Sequence, residues 1–168
     1  MYNDKISIED GNGNHYNFSQ TMKEKIAKQE HSAQAFGELN SDKGAIAITK
    51  YYEYNDYYNL VSDLYHEKQH LKYYADGYMT GSTNEMSVYI DQFKHNSWKN
   101  TTPSFQFKTR KSFTSLLNGA THFGVKTKDY AEYFKRMKND YEKFFDTKFE
   151  LNYDSQNFVD PKNKIPTN

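Results

Sequence analysis

Residues 57–74 read YYNLVSDLYHEKQHLKYY, and residues 66–70 within them, HEKQH, follow the pattern H-E-x-x-H. Side chains recur on one face of this stretch at the spacing of an α-helix, namely Leu60, Leu64, Glu67 and Leu71. Asp76 and Gly77 follow directly, and this pair is typical of a helix end. The sequence therefore predicts a helix over residues 57–74 with the H-E-x-x-H pattern in its interior.

Two histidines four residues apart lie on one face of a helix, so His66 and His70 are predicted to offer two imidazoles to one zinc ion. Glu67 lies beside them, where its carboxylate is placed to take a proton from a water molecule that the metal activates. Because the chain contains no cysteine, histidine or carboxylate must complete any zinc site. The pattern predicts a zinc-dependent hydrolase with Glu67 as its general base.

A catalytic zinc site needs a third protein ligand, and the sequence offers two candidates. Glu85 opens a second predicted helix over residues 85–97, which follows the first after a short connection. Asp76 stands where the longer pattern H-E-x-x-H-x-x-G-x-x-H/D places its third ligand, but Tyr73 replaces the glycine that allows the sharp turn. The glycine requirement favours Glu85, and Asp76 remains the alternative.

The set of His66, His70 and Glu85 resembles the metal site of the gluzincins, zinc peptidases in which a Glu on the next helix completes the site. In their larger members this Glu commonly follows an Asn, as Glu85 follows Asn84, whereas the short gap after His70 is closer to the compact members. The resemblance implies that these three residues bind zinc. Tyr89 stands where gluzincins often carry an acidic residue that supports a zinc histidine, so this support must differ here.

A narrower resemblance rests on residues 63–70, DLYHEKQH, and 84–92, NEMSVYIDQ. They are similar to the small metallopeptidase toxin domains at the C-termini of RHS-type polymorphic toxins. This resemblance implies an effector secreted as part of a larger protein, which cleaves a protein target and is held in check by an immunity protein. The middle positions of the motif are usually uncharged in zinc peptidases, whereas Lys68 and Gln69 predict a solvated back of the helix here.

The composition argues against several other classes of protein. The 168 residues include 22 basic and 22 acidic side chains, which leave the formal net charge at zero. A general nucleic-acid binder needs a basic surface, so that class is disfavoured. No apolar run approaches the length of a membrane span, and the N-terminus does not read as a signal peptide. Aromatic residues make up 17% of the chain, which predicts a core built from rings as much as from aliphatic side chains.

The remaining patterns predict a small, zincin-like α+β domain that is mainly helical. Alternation in residues 5–9 and 15–18, on either side of a glycine- and asparagine-rich turn, predicts an N-terminal β-hairpin. One or two further strands are expected, at residues 45–49 and 104–108. Further helices are predicted over residues 19–39, 111–118 and 127–145.

The domain organisation is predicted to be simple. A single catalytic domain spans residues 1–151, and a mobile polar tail spans residues 152–168, which carries two of the three prolines. His122 lies downstream of the metal helices and is, together with the tyrosines, a candidate to stabilise the transition state. A packed or exposed loop histidine is the plainer interpretation of His122, and a helix-end contact is expected for His95.

These patterns together predict a zinc peptidase in which His66, His70 and Glu85 hold the metal and Glu67 activates water against a peptide bond. Two alternatives remain open. One is a non-catalytic interaction module with a structural or vestigial zinc site, and the other is a zinc hydrolase that acts on a non-peptide amide. A fourth protein ligand would favour the structural site, the candidates being Asp76, His95 and His122.

Overall fold

Four helices carry most of the described structure, which comprises residues 7–9, 15–17, 33–37, 40, 44–48, 56–77, 82–122 and 128–166 of a computed structural model. The helices are α1 (Tyr57–Ala75), α2 (Ser82–Lys94), α3 (Pro103–His122) and α4 (Lys128–Phe144), with a 3₁₀ helix at Trp98–Asn100. Three two-stranded antiparallel sheets are formed by β1 (Ser7–Glu9) with β2 (His15–Asn17), β3 (Ala33–Gly37) with β4 (Gly44–Ile48), and β5 (Glu150–Asn152) with β6 (Asn157–Val159). The predicted small, mainly helical α+β domain is confirmed.

Helix α1 carries the motif and has well-defined ends. The side chain of Asp56 accepts a hydrogen bond from the backbone N–H of Asn59 at 3.0 Å and caps the first turn. Gly77 follows the helix with a φ of 82°, in the left-handed region that glycine favours. Lys68 is exposed, as predicted for the back of this helix, but Gln69 is buried, so the predicted solvation is wrong for Gln69. The fully buried residues of α1 are all polar, namely Ser62, His66, Gln69 and His70.

The hydrophobic core lies among α2, α3 and α4 and is dominated by aromatic rings. The ring of Phe93 meets those of Trp98, Phe145 and Tyr141 at centroid distances of 4.7, 5.0 and 5.7 Å. Each such pair contributes about 0.5–1.5 kcal/mol beyond the burial of its surface. The ring-built core is confirmed, and no helix in the described ranges has the length and apolar character needed to cross a membrane. The buried core residues are Met86, Ile90, Phe93, Trp98, Phe105, Phe113, Leu117, Phe134, Met137 and Tyr141.

The predicted helix over residues 19–39 is wrong at its C-terminal end, where Ala33–Gly37 forms β3. This strand pairs along its whole length with β4 and packs against α1. Such contacts with residues distant in sequence override a weak helical spacing, which the local pattern cannot foresee. Residues 19–32 lie outside the described residues. The predicted strand over residues 45–49 is confirmed as β4, and the predicted N-terminal hairpin is confirmed as β1 and β2.

The predicted strand over residues 104–108 is also wrong, because these residues lie in the first turns of α3. The Thr102 hydroxyl accepts a hydrogen bond from the backbone N–H of Phe105 at 3.3 Å. Pro103 takes the first helical position, where its missing N–H costs nothing. The sequence Thr-Pro is thus a helix start, and the predicted helix over residues 111–118 is part of one longer helix. The helix predicted over residues 127–145 is confirmed as α4.

Residues beyond the predicted domain boundary pack onto the helices. The side chain of Asn118 on α3 exchanges two hydrogen bonds with the backbone of Phe158 on β6, at 3.0 and 2.7 Å. Asp160 is 6% exposed and accepts hydrogen bonds from Arg110 and from the Tyr141 hydroxyl. The boundary and the mobility of the tail stay predictions, but the hairpin of β5 and β6 contacts the same helices that form the core.

We expect the free energy of unfolding to decrease at acidic pH because of Asp160. Burial alone would raise its pKa, but the hydrogen bonds from Tyr141 and Arg110 outweigh burial and hold the pKa below its ordinary value. The unfolded chain therefore takes up this proton first, so the stabilisation is present above an unfolded pKa of about 3.9 and is lost as pH falls through the folded value. We expect Asp160→Asn to lower the free energy of unfolding at neutral pH by about 1.5–3 kcal/mol.

Thermal unfolding followed by circular dichroism from pH 7 down to about pH 2 measures this effect. The Asp160→Asn protein should lose less stability on acidification than the unsubstituted protein. Asp154→Asn, in the exposed turn of the same hairpin, is the matched control. It should change neither the stability at neutral pH nor the loss of stability on acidification. Identical acid profiles for Asp160→Asn and the unsubstituted protein would contradict the assignment.

Candidate metal centre

Helix α1 buries two histidines at the point where it meets α2. His66 and His70 are one helical turn apart and are 6% and 8% exposed. Their Nε2 atoms face each other at 3.2 Å, and their rings meet edge to face with centroids 4.9 Å apart. Two ring nitrogens this close need a hydrogen or a cation between them, since two lone pairs repel. The two imidazoles therefore converge on one point.

The first turn of α2 brings a carboxylate to the same point. Glu85 Oε1 lies 3.2 Å from His66 Nε2, and Glu85 Oε2 lies 3.0 Å from His70 Nε2. The two helices pack against each other, and the first turn of α2 lies beside the turn of α1 that carries the histidines. The potential ligand atoms of the three residues all lie within 4.8 Å of one another. The structure brings together His66, His70 and Glu85, the three residues that the sequence selected as ligands.

The spacing of these atoms matches the needs of a metal ion. Zinc lies about 2.0–2.1 Å from its nitrogen and oxygen ligands, so two ligand atoms of a tetrahedral site are about 3.3 Å apart. His66 Nε2 lies 3.2 Å from His70 Nε2 and 3.2 Å from Glu85 Oε1, and the second carboxylate oxygen, Oε2, lies 3.0 Å from His70 Nε2. Two imidazoles and one carboxylate also form a common donor set of catalytic zinc centres. The cluster fits a zinc ion in both distance and chemistry.

The charges in the cluster favour a cation. Burial alone would raise the pKa of Glu85, but hydrogen bonds from His66 and His70 outweigh burial and hold this pKa far below its ordinary value. Burial alone would lower the pKa of His66, but the contact with Glu85 raises it above the ordinary value. Glu85 is thus a carboxylate at neutral pH, and its negative charge is balanced by protonated histidine or by a cation bound in its place.

The carboxylate of Glu67 is held by the hairpin of β3 and β4. Its Oε2 accepts a hydrogen bond from the backbone N–H of Ala35 on β3 at 2.6 Å. The turn of the hairpin is attached as well, because the backbone N–H of Asn40 donates to the carbonyl of Tyr74 at 2.8 Å. Burial raises the pKa of Glu67 above its ordinary value, and the opposing effect of the two histidines is smaller. A raised pKa makes this carboxylate a better proton acceptor near neutral pH.

Gln92 contacts Nδ1 of His66, the ring nitrogen that faces away from the cluster. The sequence alone did not predict this contact. Its Oε1 lies 3.0 Å from His66 Nδ1, and its Nε2 donates to the carbonyl and hydroxyl oxygens of Ser62 at 3.2 and 3.1 Å. Gln92 follows Glu85 by seven residues, or about two helical turns, so both lie on one face of α2. This spacing is the signal that points to it. Tyr89, at the usual acidic position, packs its ring on His66 with centroids 4.7 Å apart.

The sequence model of the metallopeptidase toxin 2 family matches residues 2–147. The chain belongs to this family. Membership confirms the predicted metallopeptidase toxin domain and indicates a metal-dependent toxin of the peptidase type, which implies a protein target. No curated protein and no solved structure matches the chain. The matched segment contains the whole cluster of His66, His70 and Glu85, together with Glu67.

Asp76 and His95, two other candidate residues of this metallopeptidase toxin domain, lie apart from the cluster. Asp76 is exposed at the end of α1 and is not part of the group of potential ligands. His95 Nδ1 lies 2.8 Å from the Ser97 hydroxyl, and the ring stacks on Tyr65 with centroids 3.9 Å apart, so it makes a contact just beyond the end of α2. His122 is the last residue of α3. Its side chain lies outside the described residues, and its role in the transition state stays a prediction.

Proposed function

We propose that this metallopeptidase toxin domain is a zinc peptidase that hydrolyses peptide bonds in a protein target. His66, His70 and Glu85 hold the zinc ion, and Glu67 is the general base. The convergence of two histidine nitrogens 3.2 Å apart, each within 3.2 Å of one Glu85 oxygen, carries this proposal, because ligand atoms of a tetrahedral zinc site are about 3.3 Å apart. The family supports the peptidase activity.

Glu67 handles the proton in the proposed reaction. The N–H of Ala35 binds its Oε2, so we assign the proton transfer to Oε1. The zinc ion, when bound, supplies a Lewis acid that polarises the substrate carbonyl and makes water more acidic. Glu67 takes a proton from water, whose oxygen forms the new bond to the carbonyl carbon. The C–N bond then breaks, and Glu67 returns the proton to the leaving amine.

A cluster of only three potential ligands among the described residues supports a reaction centre over a purely structural site. A structural zinc site closes all four positions with protein ligands. Within the described ranges, no further His, Cys, Asp or Glu joins the cluster of three. His95, one candidate for a fourth ligand, is bonded to Ser97 instead. The peptidase family also favours a peptide bond over a non-peptide amide as the substrate.

The proposal extends to the biological context of the domain. We propose that it reaches its target as part of a larger secreted protein, in keeping with a toxin. We also propose that an immunity protein blocks the site in the producing cell, because an active peptidase would otherwise cleave the proteins of its producer.

Metal analysis of the purified chain tests the proposed function. We expect one zinc ion per chain, matching the one cluster found among the described residues. A strong chelator should abolish cleavage of an unfolded substrate such as casein, and equimolar zinc should restore it. Magnesium is the control and should not restore cleavage, because it prefers an octahedral shell of oxygen ligands. Undiminished cleavage by zinc-free protein, or a failure of the chain to bind zinc, would contradict the proposal.

A further inference from the structure

We propose that Gln92 fixes the tautomer of His66 and thereby makes it the pre-organised zinc ligand of this site. The inference rests on the proposed function and deepens it. A neutral imidazole carries hydrogen on one of its two nitrogens, and a metal binds the other. What matters is therefore which nitrogen of His66 the protein forces to carry the hydrogen.

The orientation of the Gln92 amide is decided by Ser62. The backbone carbonyl of Ser62 accepts hydrogen bonds and never donates them, so the group 3.2 Å from it must be the Gln92 NH₂. The Ser62 hydroxyl receives a second hydrogen bond from the same nitrogen at 3.1 Å. The carbonyl end of the Gln92 amide must consequently face the other way, toward His66.

The Gln92 oxygen in turn decides the tautomer of His66. An amide oxygen only accepts, so the Nδ1 atom 3.0 Å away has to carry the hydrogen. In the neutral imidazole, Nε2 then keeps a lone pair for the zinc ion, which would take the place of the hydrogen that a protonated His66 donates to Glu85. No water reaches this contact easily, because Ser62, His66 and Gln92 are 0%, 6% and 1% exposed. The opposite tautomer would set a lone pair against the Gln92 oxygen.

His70 provides the contrast. Its Nδ1 is buried and has no hydrogen-bond partner among the described residues. Nothing in that part of the chain therefore fixes the hydrogen of His70 as Gln92 fixes that of His66. The pre-organisation of the site comes through His66, and Gln92 is a positioning residue that never touches the metal. In gluzincins an acidic residue at the position of Tyr89 often supports a zinc histidine. Under this inference, Gln92 takes over that role.

Zinc affinity of Gln92→Met tests this role without any need for activity. Methionine keeps the length of the side chain but replaces the amide oxygen with a much weaker acceptor, so we expect zinc binding to weaken about 10–100-fold in competition with a chromophoric chelator. Ser87→Ala on the same helix is the matched control. Its hydroxyl bonds to Tyr133 on α4 and not to a histidine, so its zinc affinity should equal that of the unsubstituted chain.

Gln92→Glu is the conservative rescue variant. It keeps an oxygen that can face His66 Nδ1, and the Ser62 hydroxyl can donate to its other oxygen, so its zinc affinity should stay within a few-fold of the unsubstituted chain. A folded Gln92→Glu protein that binds zinc as weakly as Gln92→Met would overturn the inference. So would a folded Gln92→Met protein that binds zinc as tightly as the unsubstituted chain.

Nitrogen NMR of the unsubstituted chain keeps the inference testable even if both variants fail to fold. In zinc-free, ¹⁵N-histidine-labelled protein under alkaline conditions, we expect the His66 hydrogen on Nδ1. A hydrogen on Nε2 would overturn the inference. The two proposals fail differently, because a chain that binds no zinc refutes both, whereas zinc binding that ignores Gln92 refutes only the role of this residue.

Discussion

Glu67→Gln should stop peptide hydrolysis while zinc remains bound. The variant removes the carboxylate that accepts a proton but leaves His66, His70 and Glu85 in place. A positioned general base contributes about 10²–10⁴-fold to a rate, so kcat should fall by at least about 100-fold. The amide oxygen of the variant still accepts the hydrogen bond from Ala35, so the hairpin should keep its attachment to α1.

Three measurements test this prediction together. Casein cleavage gives the loss of rate, metal analysis gives the zinc content, and growth of cells that express the chain shows whether toxicity is relieved. Glu67→Ala is the comparison, because it removes the proton acceptor and also the partner of Ala35. It should be as inactive as Glu67→Gln but less stable to heat. If Glu67→Gln kept full activity, the proposed mechanism would be wrong.

Glu85→Ala should lose zinc, and Asp76→Ala should not. Glu85 holds the carboxylate that lies 3.2 and 3.0 Å from the two histidine nitrogens, whereas Asp76 is exposed and outside the cluster. Losing an outer hydrogen-bond partner of a ligand costs about 10–100-fold in metal affinity, and losing the ligand itself should cost more than about 100-fold. The peptidase activity of Glu85→Ala should fall together with its zinc content, since the proposed reaction depends on bound zinc.

Zinc titration of both variants against the same chelator makes the comparison direct. Asp76→Ala serves as the matched control, because it removes an acidic residue from the other end of the same connection. Circular dichroism checks that both proteins are folded. Full zinc occupancy in Glu85→Ala, or loss of zinc in Asp76→Ala, would reject the gluzincin assignment in favour of the alternative ligand.

The sequence was sufficient where function depends on spacing within one helix. His66 and His70 share a face because four residues make about one turn, and the leucine spacing around them predicted the helix that α1 forms. Glu85 was found because it opens the next helix predicted from the sequence, and in the structure it lies in the first turn of α2, which begins at Ser82. These are local rules, and the structure brings the three side chains together as they require.

The sequence was insufficient where contacts join distant parts of the chain. The strand Ala33–Gly37 depends on its pairing with β4, and the anchoring of Glu67 depends on Ala35, which lies 32 residues away. Gln92 was hidden for another reason. An amide carries no charge that would mark it as a functional group in the sequence. The sequence also does not show which way the amide faces, and the carbonyl of Ser62 decides this in the structure. The packing of β5 and β6 on α3 is non-local in the same way.

The buried face of α1 is polar, so under the proposed function the zinc ion would help to hold α1 against α2. The helix offers no fully buried apolar side chain to hold it against α2, and its buried residues are Ser62, His66, Gln69 and His70. Under the proposed function, a zinc ion that bridges His66 and His70 to Glu85 ties the two helices to each other. Binding to the folded form alone stabilises it by about 4 kcal/mol at a thousandfold excess over Kd. A metal-free chain would thus be the looser form, so under the proposed function the ion would contribute to stability as well as to catalysis.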